Sequence, residues 1–118
     1  MSRDERLYLD DVIEALKAIQ SYTEGLTEES FIADIKTKDA CVRRFQIVGE
    51  AVKKFPAAWL DSEPNIPWPR ITGMRNMLVH EYFRIDDLAL WKASQEDLPP
   101  LLEACERIQE RVENTQGS

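Results

Sequence analysis

Gly73-Met74-Arg75-Asn76-Met77-Leu78-Val79-His80-Glu81-Tyr82 carries the single histidine of this 118-residue chain. Placed on a helix at roughly 100° per residue, the stretch sorts into two faces. Met74, Met77 and Leu78 gather on one side, with Glu81 at its edge and Tyr82 at its flank, and that side must pack on a core. Arg75, Asn76, Val79 and His80 fill the opposite arc. The side chains able to do chemistry therefore face away from the core with an apolar valine among them, as in a site covered by another chain. An amphipathic helix of this kind calls for further helices against it, and the rest of the sequence supplies them.

Upstream, Ser2 with Glu5 three residues on resembles a capping box. Leu9, Val12, Ile13, Leu16 and Ile19 then recur at helical spacing up to Tyr22, and Gly25 supplies a stop. Thr27, followed by Glu28 and Glu29, predicts a short second helix through Phe31, Ile32 and Ile35, with Lys36 to Lys38 as the turn after it. Asp39 reads as the N-cap of a long helix whose apolar stripe is Val42, Phe45, Val48, Val52 and Phe55, ended by Pro56. Within it, Gly49 and Ala51 permit close helix approach. Glu50 has two readings, an exposed helix glutamate or a partly buried carboxylate that needs a partner. Ala57 to Pro69 is a loop by composition; Trp59 and Trp68 read as its core anchors rather than as nucleotide-stacking platforms, and Pro69 suits the first turn of the helix carrying the central stretch. Downstream, the chain turns at Arg84-Ile85-Asp86; Asp86 caps a helix with Leu88 and Trp91, and Asp97 caps a last one in which Pro99 and Pro100 fall in the first turn. With no Asn-Gly or Asp-Gly hairpin and no alternating strand pattern, the expectation is all-α, an antiparallel bundle of four main helices plus short helices. One domain spans residues 1–118, its last few residues expected to be disordered.

Composition bounds the function. Hydrophobic residues make up 43% and charged residues 31%, too apolar for a disordered chain. The two cysteines, Cys41 and Cys105, lack metal-ligand or redox spacing and read as buried free thiols of a reducing compartment, a bond between them being the other reading. No apolar run approaches roughly 18 residues and no signal-peptide pattern opens the chain, so a cytoplasmic protein without a membrane association is expected. Net charge is −7, yet residues 1–35 carry +3 and −9, residues 36–84 carry +9 and −5, and residues 85–118 carry +3 and −8. The middle third is a basic island that attracts phosphate between acidic ends. Arg43, Arg44, Arg70 and Arg84 are its candidate RNA-phosphate contacts, against the blander reading of a solvated surface.

A Gly-rich phosphate loop, a second histidine to complete a metal site and a Cys-His constellation are all absent from the sequence. Arg75 with His80 remains. An imidazole titrating near neutrality takes a proton from a ribose 2′-hydroxyl, and a guanidinium holds phosphoryl oxygens as charge builds on phosphorus. The pair suits metal-independent RNA cleavage with no cofactor. On a regular helix, however, five residues set the two side chains roughly 140° apart. They converge if the helix ends near His80 or if a twofold homodimer buries Val79 and brings two pairs into one cleft. A lone histidine also has the plainer reading of a hydrogen-bonded structural residue.

Arg75-Asn76-Met77-Leu78-Val79-His80-Glu81-Tyr82 resembles the Arg-x4-His-x-Tyr signature of the HepT-like toxins in the HEPN superfamily, small helical ribonucleases. Asp39-Ala40 with Ile47 to Ala51, Pro67-Trp68 with Ile71 to Asn76, Tyr82 with Asp86 and Trp91, and Asp97-Leu98-Pro99 with Leu101 are similar to the family's pattern in order and spacing. The resemblance covers nearly the whole chain. It implies an HEPN-like fold, Arg75 and His80 as catalytic pair, Asn76 assisting, and a toxin paired with a nucleotidyltransferase antitoxin of the MNT type that adenylylates the signature tyrosine, here Tyr82. Apart from the resemblance, Tyr82 reads as a helix-end core aromatic. The other readings are a non-catalytic helical module that docks on a nucleotidyltransferase and helps hold nucleotide, and a dimeric scaffold built around Val79.

Overall fold

The computed structural model describes residues 3–80 and 84–117. Three long helices dominate: α1 (Arg3–Thr23), α3 (Ile35–Val52) and α8 (Leu98–Gly117). Short ones fill in between, namely α2 (Glu28–Ala33), α4 (Ala57–Asp61), α5 (Trp68–Thr72), α6 (Met74–Leu78) and α7 (Asp87–Lys92). The expected all-α architecture is what forms, with α5 and α6 as the broken fourth member of the bundle. A two-residue antiparallel bridge of β1 (Val79–His80) and β2 (Arg84–Ile85) is its one extended element among the described residues.

The stripes read from the sequence become the core. Leu9, Val12, Leu16 and Ile19 of α1, Phe45, Val48 and Val52 of α3, and Leu101, Cys105 and Ile108 of α8 are all buried in one cluster. Each fully buried large apolar side chain stabilises by about 1.5–3 kcal/mol. Met74, Leu78, Trp59 and Trp68 join it, so Met74 and Leu78 of the inward face of the central stretch and both tryptophan anchors stand as expected. Gly25 stops α1 at φ 77°, a left-handed value that glycine adopts without a Cβ penalty. The thiols of Cys41 and Cys105 are free and buried. Burial pushes Cys41 up to about 11 and Cys105 up to about 12, so both stay protonated at neutral pH.

Several local expectations are corrected. Lys36 to Lys38 form no turn and Asp39 is no cap: α3 starts one turn earlier, because the Asp34 carboxylate accepts from the Thr37 backbone N–H at 3.0 Å and from its hydroxyl at 2.7 Å. Ile35 consequently opens α3 and is 68% exposed instead of closing α2. Glu50 is not a buried carboxylate; it lies exposed on α3 and meets Lys53 at 3.4 Å. The loop after Pro56 includes the helical turn α4, braced by Phe55 against Trp59 (ring centroids 5.2 Å apart) and Trp68 (6.1 Å).

Asp97 caps nothing either. Pro99 and Pro100 have no N–H to give the carbonyls of Gln95 and Glu96, so the α ladder cannot pass this point. The chain widens instead: Ala93–Asp97 form a π-type turn in which the Leu98 N–H donates to the Ala93 carbonyl. Backbone angles remain right-handed helical at Lys92, Ala93 and Leu98, so α7 runs through the turn into α8.

Candidate functional site

Construction of the site begins at Trp68. Its indole N–H donates to the carbonyls of Leu60 (3.1 Å) and Glu63 (3.0 Å), pinning the proline-rich loop and fixing where α5 begins. The Glu63 carboxylate, buried beneath, accepts from Arg107 and Arg111 of α8, each at a closest distance of 2.7 Å. The Arg107 hydrogen bond holds the Glu63 carboxyl below its ordinary value despite burial. At its other end α5 lies directly on α3. A Cβ built on Gly49 would stand 3.4 Å from the carbonyl oxygens of both Ile71 and Thr72. Close approach, the role read for Gly49, is present here, with room for a methyl group but for nothing larger.

A single helix through Tyr82 does not form. Gly73 interrupts it at φ −89°, ψ 10°, its N–H donating to Pro69 at 3.1 Å and its carbonyl accepting from Asn76 at 3.0 Å. Helix α6 then lasts only to Leu78, whose carbonyl accepts the Asp86 N–H at 2.9 Å. That long-range bond and the bridge pairing Val79 with Ile85 and His80 with Arg84 draw the chain out of the helix. Arg75 therefore sits on α6 and His80 on β1, and the 140° separation imposed by a continuous helix is gone. Arg75, His80 and Arg84 are described by backbone alone, and Tyr82 lies outside the described residues.

Asn76 is exposed and lines a cavity of about 100 Å³ with Thr72 and Gly73 on one wall and Gln46, Glu50 and Lys53 of α3 on the other. Sequence reading missed Gln46 and Thr72. The signal was present in the spacing Gln46, Gly49, Glu50, Lys53, a polar stripe along one face of α3 around the small residue.

The candidate phosphate contacts divide. Arg43 is exposed on α3. The Arg44 guanidinium lies 6.0 Å from the Tyr22 ring centroid, at the outer limit of a cation–π contact. Arg70 meets Asp97 at 3.1 Å and so ties α5 to the end of the π turn. Among the described residues no group of three His, Cys, Asp or Glu side chains could hold a metal ion, and no helix is long and apolar enough to cross a membrane.

The sequence from Val12 in α1 to Ile108 in α8 matches the family model described as Ribonuclease HepT-like. The chain belongs to this family. It is 38% identical over 108 residues to "Probable ribonuclease HepT" of Thermococcus cleftensis, covering 92% of this chain and 98% of that protein. It is 34% identical over 111 residues to "Putative RNase MJ1216" of Methanocaldococcus jannaschii, covering 94% and 92%. A longer protein of the same organism, "Gamma-glutamylcyclotransferase and putative RNase MJ0434", is 31% identical over all of this chain and 53% of its own length. No solved structure matches. The HepT-like match spans both the elements that build the bundle and the Arg75–His80 segment.

Proposed function

We propose that this HepT-like chain is a metal-independent endoribonuclease and the toxin of a toxin–antitoxin pair. The observation that carries the reading is the end of α6 at Leu78, which separates Arg75 on a helix from His80 on a strand within a family-matched segment. His80 removes the 2′-hydroxyl proton; the 2′-oxygen attacks the adjacent phosphorus, and the 5′-oxygen leaves, taking a proton from solvent. Arg75 stabilises the charge that gathers on the phosphoryl oxygens, and Asn76, exposed beside Lys53 and Gln46, positions the strand. The products are a 2′,3′-cyclic phosphate and a 5′-hydroxyl. A homodimer completes the cleft by bringing two such segments together.

Regulation falls to Tyr82. Adenylylation of its phenol by a cognate nucleotidyltransferase places a bulky, negatively charged group two residues from His80, blocking RNA by size and by charge. Support for this part is the Arg-x4-His-x-Tyr spacing itself.

The test is incubation of wild type and His80→Ala with a mixed RNA pool in EDTA, reading fragment ends. Cleavage by wild type alone, leaving cyclic phosphate, is expected. A His80→Ala protein that still cuts would remove histidine from the mechanism. Absence of cutting by wild type, with an intact mass showing no AMP, would favour the nucleotide-binding module.

A further inference from the structure

The Asn76 cavity shares two of its wall residues, Gln46 and Glu50, with a much larger groove of about 550 Å³ between α1 and α3. On the far side of that shared wall stand Tyr8 and Asp11 from α1 and Arg43, Ile47 and Lys54 from α3 or its end. The two hollows adjoin at Gln46 and Glu50, and together they make a trough that begins beside a residue of the signature and continues along α3. We propose that this trough carries the single-stranded flank of the RNA, with Arg43 and Lys54 meeting phosphates and Tyr8 receiving a base. The inference rests on the nuclease reading and extends it to the path that the strand takes away from the site, over α1 and α3.

Four observations favour that occupant. First, the small cavity lined by Asn76 adjoins the larger groove at Gln46 and Glu50, so a strand whose scissile phosphate lies at the α6–β1 segment passes these residues to reach it. Second, Arg43, Lys53 and Lys54 all belong to the 36–84 segment, which carries +9 and −5 in a chain of net charge −7. Cations are thus concentrated where the trough runs, while the rest of the chain repels nucleic acid. Third, Arg43 and Lys54 are exposed, so their charges remain free of burial, and eleven residues of largely helical rise set them ~16 Å apart. That separation lets the two cations meet phosphates a few nucleotides apart on an extended strand, not neighbouring ones.

Fourth, the groove mixes its chemistry. Tyr8 and Ile47 are half-buried and give it an apolar floor, whereas Asp11 and Glu50 are exposed acids. Carboxylates repel phosphate but accept hydrogen bonds from base amino groups, the cytosine N4 amine among them. A floor of this kind with cations at its ends fits unstacked bases with backbone outside, the mode by which single strands are read. A duplex, which presents only its phosphates and a shallow groove, would meet the two acids without reward.

The test measures binding and cutting separately. A 2′-O-methyl RNA strand of about twelve nucleotides cannot be cleaved, and its affinity is read by fluorescence anisotropy for wild type, Arg43→Glu/Lys54→Glu, Tyr8→Leu and Lys92→Glu. Lys92 is exposed on α7, outside the trough, and controls for loss of charge alone. The double reversal should weaken binding at least about tenfold and flatten its salt dependence, while Lys92→Glu changes it little. Tyr8→Leu, which keeps an apolar side chain on the core, should weaken binding by a smaller factor without changing that salt slope. Circular dichroism confirms that each variant folds.

Wild-type affinity in the double variant overturns the proposal, as does equal weakening by Lys92→Glu. A changed oligomeric mass with unchanged RNA affinity would make the trough an interface between copies, and also overturns it. Tight, trough-dependent binding by a wild type that cuts nothing would instead refute the nuclease reading and leave the RNA path standing.

Discussion

Two helices of this bundle are interrupted, and the interruptions end differently. At Ala93–Asp97 the prolines that follow force one wide turn, after which the chain resumes as α8. Leu90 and Ala93 before that point and Leu98, Leu101 and Leu102 after it are all buried, so the same core holds both sides and the break is healed. At Gly73 the chain resumes for only five residues, then leaves for the bridge at Val79. Leu78 is still buried there, and the Asp86 N–H takes up the carbonyl a longer helix would have used. A helix survives a backbone fault when apolar residues continue on its inner face; it ends when a distant amide takes its last carbonyl and a bridge draws the chain out.

The contrast can be broken at its active end first. His80→Ala should lower RNA cleavage by about 10³-fold while leaving the melting temperature unchanged, the behaviour of a group that serves proton transfer and not packing. Equal loss of stability in thermal unfolding would instead make His80 a packing residue. Next in size is the seat of the α5–α6 segment on α3. Gly49→Leu drives side-chain carbons into the backbone of Ile71 and Thr72 and should cost about 3 kcal/mol in denaturant unfolding. Gly49→Ala makes only ordinary contact there and regains about 0.5–1 kcal/mol of helix propensity, so it should be close to neutral. If both variants behave alike, close approach is not what sets this segment.

Glu63 tethers the two regions, since its loop leads into α5 and its partners Arg107 and Arg111 lie on α8. Glu63→Gln should cost about 1.5 kcal/mol, limited because both arginines are half-exposed. Its pH dependence has a definite sign. With the folded carboxyl held below the ordinary 4.5 by Arg107, the contribution is complete above that pH and fades as pH falls through the depressed value. Wild type should therefore lose stability faster than Glu63→Gln below pH 4.5, the two curves converging in acid. Smallest of all, Asp97→Ala removes the exposed contact between Arg70 and the π turn and should shift stability by about 0.5 kcal/mol.

Much of this was legible in the sequence because it is local. The α1 stripe from Leu9 to Ile19 repeats at three and four residues, Gly25 marks its end, and Thr27 and Asp86 each cap the helix that follows. The tryptophans flanking a proline-rich loop are similarly plain, since rings of that size in a small domain have only the core to enter. The start of α3 was not legible in this way. Asp34 and Asp39 are both acceptable caps by type, and the choice between them turns on Thr37, whose amide and hydroxyl both reach Asp34. Glu50 was equally open from sequence: its position beside Gly49 fits a buried or an exposed glutamate, and only the folded structure shows it exposed beside Lys53.

The sequence by itself determined an all-α chain, most residues of its core, and the Arg-x4-His spacing of its candidate functional segment. Tertiary structure alone decided that this segment is not one helix. Where a helix ends depends on which distant group takes its last carbonyls, and here that group is the Asp86 amide, eight residues beyond Leu78 and brought back by the β1–β2 bridge.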